Sequence, residues 1–239
     1  MKIHYGFDTL PEGLRTVVTV GSFDGVHEGH HMLLRRVMSL AQSLDAESAV
    51  VTFEPHPRIA MGRAEGMRLL TTVQERALLL GRYGVDHVVV AHFDEGFRSQ
   101  TFEQFVRESL VAKLGMVGMV VGYNHRLGRG NEGNYDNLQP LGQELGFALE
   151  RVEQYTDSGD KVSSTVLRGL LERGEAERAH EIMAIHILLW ARSAMVCFVS
   201  RMSINYCPVM ANIELLSVAS PLLLRCVVVR LELRAKIEI

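Results

Sequence analysis

The sequence predicts an α/β fold, a doubly wound parallel sheet of the Rossmann-like kind, followed by a C-terminal stretch of different character. Two observations carry this prediction. Short, valine-rich apolar runs alternate with longer stretches whose apolar residues recur at helical spacing, as buried parallel strands alternate with crossover helices. The chain has 239 residues, 47% of them hydrophobic, which is ample for the core such a sheet requires.

The strand candidates are Thr16–Val20, Ser48–Phe53, Val85–Ala91 and Met116–Val121. Between the first two, a helix is expected over His30–Leu44, with Leu33, Leu34, Val37 and Leu40 on one face. Further helices are expected over Thr72–Tyr83 and Thr101–Lys113, the latter opening on capping residues Thr101, Glu103 and Gln104. The stretch Gly122–Asn137 is polar and glycine-rich and reads as one long loop, a feature that in a compact domain is usually functional. Residues 163–183 read as a single helix that starts on hydroxyl caps.

A formal net charge of −3 gives no overall attraction to nucleic acid or to an anionic membrane, so a phosphate ligand would need a local site. Neither is expected as a partner, and the oligomeric state stays open. The opening MKIHYGFDTL lacks the basic, apolar and small-residue succession of a signal peptide, and a cytoplasmic protein is expected. Cys197, Cys207 and Cys226 stand at no zinc-type spacing, so no metal site is expected.

Beyond about Met183 the composition changes. Every glycine lies at or before Gly174 and every aspartate at or before Asp160, which deprives the rest of the chain of its usual turn residues. The apolar run Ile182–Ala191 is too short to span a membrane, which takes about twenty residues.

The chemistry-bearing signal is the passage from the first strand through Gly21-Ser22-Phe23-Asp24-Gly25-Val26-His27-Glu28-Gly29-His30 into the first helix. His27 and His30 stand where free backbone N–H groups and the positive end of the helix dipole attract phosphate. Gly21, Gly25 and Gly29 let a ligand approach the backbone closely. An isolated His-x-x-His is more often a helix cap or an adventitious metal site; the strand, turn and helix around this one reverse that preference in favour of phosphate.

The segment GSFDGVHEGHH resembles the signature of the adenylyltransferase module in bacterial bifunctional riboflavin kinase/FAD synthetases, members of the nucleotidylyltransferase superfamily. Thr52–Pro57 (TFEPHP), Val121–Gly133 (VGYNHRLGRGNEG) and Val162–Arg168 (VSSTVLR) resemble the same family in the same order. The resemblance implies an adenylyltransferase domain over residues 1–183 that makes FAD from FMN and ATP with release of pyrophosphate. Mg2+ would accompany the ATP.

Carried over to this chain, His27 and His30 are the catalytic residues. Gly21, Ser22, Phe23, Asp24, Gly29, Ser163, Ser164, Thr165 and Arg168 would contact ATP, Asp24 being readable also as structural support. Glu54, His56, Pro57, Asn124, Arg126 and Arg129 would contact the flavin; for Glu54 and His56 a plain surface turn is an equal reading. Family members commonly carry Phe-Arg-Phe-Gly where this chain has His125-Arg126-Leu127-Gly128, so weaker flavin stacking is expected.

In the bifunctional enzymes a riboflavin kinase barrel follows, with a Pro-Thr-Ala-Asn motif at its ATP site. Here only Ala211–Glu214 matches, and residues 184–239 read as a degenerate or truncated remnant of that region. Two other readings remain open: a catalytically silent flavin- or nucleotide-binding remnant, and an adenylyltransferase with another phosphate acceptor. The expected outcome is that the chain converts no riboflavin to FMN with ATP, and that limited proteolysis cuts after about Met183 to leave an active core. FMN formation from riboflavin, or protease resistance of residues 184–239 equal to that of the core, would overturn this reading.

Overall fold

A computed structural model describes residues 1–64, 66–157, 160–183, 188–191 and 194–197, in two units, residues 1–185 and 186–239. The first unit runs β1 (Lys2–Tyr5), β2 (Thr16–Val20), α1 (Glu28–Ser43), β3 (Glu47–Glu54), the short α2 (Pro57–Ala60), α3 (Val73–Arg82) and β4 (His87–His92). It continues through α4 (Glu95–Ser99), α5 (Phe102–Gln104) with a π-helical extension Phe105–Val111, β5 (Met116–Gly122), α6 (Tyr135–Leu145) and β6 (Ala148–Val152). A two-residue ribbon, β7 (Thr156–Asp157) and β8 (Asp160–Lys161), precedes α7 (Ser164–Glu172) and α8 (Ala176–Ile182). In the second unit β9 (Leu188–Ala191) pairs antiparallel with β10 (Ala194–Cys197). The expectations for the kinase remnant and its stability otherwise fall outside the described residues.

The main sheet has six parallel strands in the order β1-β4-β3-β2-β5-β6. Leaving β1 aside, the remaining five follow the doubly wound order, which begins at β2, grows to one side through β3 and β4, and then returns to add β5 and β6. The switch point lies between β2 and β5, and in open α/β sheets ligands bind beyond the carboxyl ends of the strands at that point.

Alternating side chains of the central strands serve two cores. Val18, Val20, Val51, Phe53, Val89, Met119 and Val121 pack with Phe105, Val106 and Leu110 of the π-helical stretch and with Leu138 and Leu141 of α6. The opposite face receives α1 and α3: a side chain at Gly118 would touch Val17, Leu40 and Leu44, and Arg76 of α3 bonds Thr52 of β3. Thr72 caps α3 in a reciprocal box with Glu75, and Thr101 does the same for α5 with Gln104.

The four expected strands are present, the first with identical boundaries and the others within two residues. The edge strands β1 and β6 were not legible, because their side chains are largely exposed or half-buried and carry no valine run. The expected loop ends at Asn134, whose side chain caps α6 by accepting from the Asn137 amide. Residues 163–183 form two helices rather than one, since the chain turns at Arg173-Gly174 with Gly174 at φ +77°. Leu34 of α1 is fully buried, and Leu34→Ala should cost about 2–5 kcal/mol, read as a lower midpoint in urea with an unchanged slope.

Candidate active site

At the carboxyl end of β2 the chain leaves the sheet through Gly21 and Ser22, whose carbonyl accepts from the Thr52 hydroxyl (3.0 Å). Phe23, expected beside ATP, is 1% exposed; its ring packs against that of His30 at 4.9 Å between centroids. It supports a catalytic candidate from below.

Asp24, another expected ATP contact, is completely buried, and its carboxylate is occupied by protein donors. It accepts from the Leu70 amide (3.0 and 3.1 Å), the Thr71 amide (3.0 Å) and the Thr71 hydroxyl (3.2 Å), and it pairs with the Arg168 guanidinium. Its own carbonyl accepts from the Ser164 hydroxyl (2.8 Å), and Arg168 Nε also donates to the Arg68 carbonyl (2.8 Å). This bonding gives Asp24 the supporting role. It draws together the first motif, the turn before α3 and the start of α7.

The β2–α1 turn and the α7 N-terminus therefore share one site, at the switch point. Ser163 accepts from the Val166 amide as the α7 cap, Ser164 is spent on Asp24, and Thr165 is exposed beside them. The Arg168 side chain is 11% exposed and engaged with Asp24. It ties α7 to the first motif and to the Arg68 carbonyl.

His27 is the N-cap of α1, yet its side chain makes no capping bond. Its ring lies face to face with that of His30, centroids 3.7 Å apart at 18°. The Nδ1 atoms of both are buried with no hydrogen-bond partner. Gly29 makes this possible, because a Cβ there would stand 3.2 Å from two atoms of the His27 ring.

Burial pushes His27 down to about 4 against the opposing pull of Asp24. His30 lies well below its ordinary range, through burial first and then the proximity of His27, His31 and Arg76. Both rings are neutral near pH 7, and neutral imidazoles with unpartnered nitrogens can donate to phosphate oxygens.

Of the residues expected at the flavin, Glu54 is exposed at the end of β3 and Pro57 opens α2. His56 is buried, accepts from the Arg58 amide (3.2 Å) and lies in the fields of Asp24, Arg76 and Arg168, so the TFEPHP segment does reach the first motif. Asn124, Arg126 and Arg129 are exposed on the loop after β5, the strand beside β2, with no bond to the His27–His30 turn among the described contacts. Gly128 seats this loop: at φ +73°, its Cβ would come 2.3 Å from the Phe102 amide nitrogen. Leu127 is 6% exposed inside the core, so replacing an aromatic residue there changes packing rather than an exposed stacking ring. Beside it, burial lowers His125 to about 4, and its Nε2 has no partner.

Arg76 was missed by sequence reasoning. It is fully buried and donates to the Thr52 hydroxyl (2.9 Å) and, more distantly, to the carbonyls of Phe53 and Thr71 (both 3.4 Å). The available signal was a charged residue on the apolar face of α3, in register with Val73, Ala77 and Leu80.

A parallel sheet whose switch point carries two neutral histidines at a helix N-terminus, tied to a hydroxyl-rich second helix, defines a nucleotide-handling α/β domain. The FAD synthetase family profile matches residues 11–166. A relative from Geobacillus thermodenitrificans, named for riboflavin kinase and FMN adenylyltransferase activities, is 37% identical over 182 residues, 75% of this chain and 94% of its own length. The bifunctional riboflavin kinase/FMN adenylyltransferases of Escherichia coli and Pseudomonas fluorescens are 32% and 34% identical over 72% and 77% of this chain. The chain spans only 55% and 59% of those two proteins. The chain belongs to the FAD synthetase family. A solved structure described as a macrolide-efflux protein from Streptococcus pneumoniae matches with a TM-score of 0.70 at 20% identity, covering 82% of this chain and 69% of that one, which bears on the fold alone.

The buried histidines carry a pH dependence. His27, His31, His56 and His125 lie at about 4 in the fold against an ordinary value of 6.5. As pH falls below about 6.5 the unfolded chain takes up protons first, so stability is complete above that pH and is lost progressively down to about 4. In urea melts across that window the His31→Gln variant should show a slope against pH smaller by about one proton. An unchanged slope would mean that His31 is not held neutral.

Proposed function

We propose that this chain adenylates FMN with ATP to give FAD and pyrophosphate. The observation that carries the reading is the stacked His27–His30 pair, its Nδ1 atoms unpartnered, at the N-terminus of α1 in a FAD synthetase family member. An oxygen of the FMN phosphate attacks the α-phosphorus of ATP, the new P–O bond forms as the bond to the β-phosphate oxygen breaks, and pyrophosphate leaves with its electron pair. Such a reaction asks the protein for alignment and for donors aimed at the accumulating negative charge.

His27 and His30 supply those donors, and neutral rings do so without holding a buried charge in the empty site. Gly21, Ser22 and Thr165 line the approach, while Asp24, Ser164 and Arg168 fix the two helix starts relative to each other. The flavin lies toward Glu54, His56 and Pro57 and toward Asn124, Arg126 and Arg129, on the strand ends flanking β2. The protein works in the cytoplasm, where both substrates are at hand. Among the described residues no helix is long and apolar enough to cross a membrane.

Mg2+ arrives on the polyphosphate and supplies charge neutralisation there. Among the described residues no group of three or more His, Cys, Asp or Glu could hold a metal ion, and the Asp24 carboxylate is already taken, so these side chains do not fit a resident metal.

The test is FAD formation and pyrophosphate release with FMN, ATP and Mg2+, set beside other phosphate acceptors. His30→Ala should lower kcat at least about tenfold, on the order of 1.4 kcal/mol of transition-state stabilisation, with a smaller change in FMN affinity. An unchanged kcat would remove His30 from catalysis, and turnover of another acceptor alone would remove FMN.

A further inference from the structure

Arg76 is anomalous for a core residue. A guanidinium stays protonated in proteins, and burial without a carboxylate partner costs several kcal/mol unless something offsets it. Arg76 is fully buried, yet its partners are one hydroxyl and two carbonyls, all neutral, and its Nε has no partner. The buried carboxylate within its field, Asp24, is paired with Arg168. Glu54, the other carboxylate that acts on it, is exposed.

Counting Asp24, Arg168, His27, His30 and Arg76, and leaving the exposed Glu54 aside, the charge is positive. Asp24 and Arg168 cancel, His27 and His30 are neutral, and Arg76 is left over. Its position is not incidental to the reaction. It joins the end of β3, where the TFEPHP segment begins, to the Thr71 turn that holds Asp24, and its charge reaches both His30 and His56.

We propose that Arg76 is a positioning residue whose buried guanidinium, without a carboxylate of its own, is the fixed counter-charge for the polyphosphate bound at His27 and His30, held in place by the Thr52, Phe53 and Thr71 oxygens. The cost of burying it is stored in the empty protein and offset when the anion binds, an electrostatic arrangement in place before the substrate arrives. This rests on the reading of the site as one for adenylyl transfer.

The probe is inorganic pyrophosphate, titrated onto the full chain by thermal shift and calorimetry. Arg76→Met, and Arg76→Gln as the variant that keeps a hydrogen-bonding group, should weaken pyrophosphate binding at least about tenfold. Neither should melt below the wild type when unliganded, because replacing a buried unpaired cation by a neutral side chain is often neutral or stabilising. Arg76→Lys, which keeps the charge and loses the planar fork, should bind pyrophosphate within about threefold of wild type. Wild-type affinity in the Met and Gln variants would overturn the proposal, as would early melting of all three variants, which would make Arg76 a structural strut. A wild type that binds no pyrophosphate would overturn the site itself. Pyrophosphate binding without FAD formation would overturn only FMN as acceptor.

Discussion

The Asp24 carboxylate is the constraint on which the site depends. It sits at the head of the β2–α1 turn, yet its donors come from residues 70–71 and from Arg168 on α7. A buried carboxylate stripped of these donors would carry a large desolvation cost, so the three segments either assemble around it or the turn cannot fold in this form. Sequence separations of 46 and 144 residues are thereby closed onto one group. The backbone amides of Leu70 and Thr71 make the arrangement stiff, since they cannot be withdrawn without moving the entry to α3.

Around this anchor the site divides its labour. Several side chains expected to contact the ligand also serve as framework: Phe23 packs against His30, Ser164 bonds the Asp24 carbonyl, and Arg168 is held by two acceptors. Within the β2–α1 turn, the Nδ1 atoms of His27 and His30 are buried without a protein partner. Gly29, in the first turn of α1, leaves room for the two imidazoles to lie on each other, and the turn is held by the bonds that Asp24 accepts from the segments around it.

The central strands were legible because valine runs report burial on both faces, and the histidine turn was legible because its residue order is chemically specific. The edge strands were not, since Lys2–Tyr5 and Ala148–Val152 mix exposed and half-buried residues and so carry no clean period. The break at Gly174 was passed over because helical spacing continues on both sides of it. Arg76 was hidden for a different reason: a lone arginine in an amphipathic pattern is usually a solvated neighbour of the core, and only three-dimensional packing shows that this one points inward. Asp24 could be named but not assigned, because its donors are backbone amides, which no sequence pattern displays.

The face-to-face contact of His27 and His30 has a thermodynamic consequence. Two imidazolium rings 3.7 Å apart in a buried setting would repel strongly, so protonation of one suppresses protonation of the other, and the turn meets acid as one unit whose two proton affinities belong to the pair rather than to either ring.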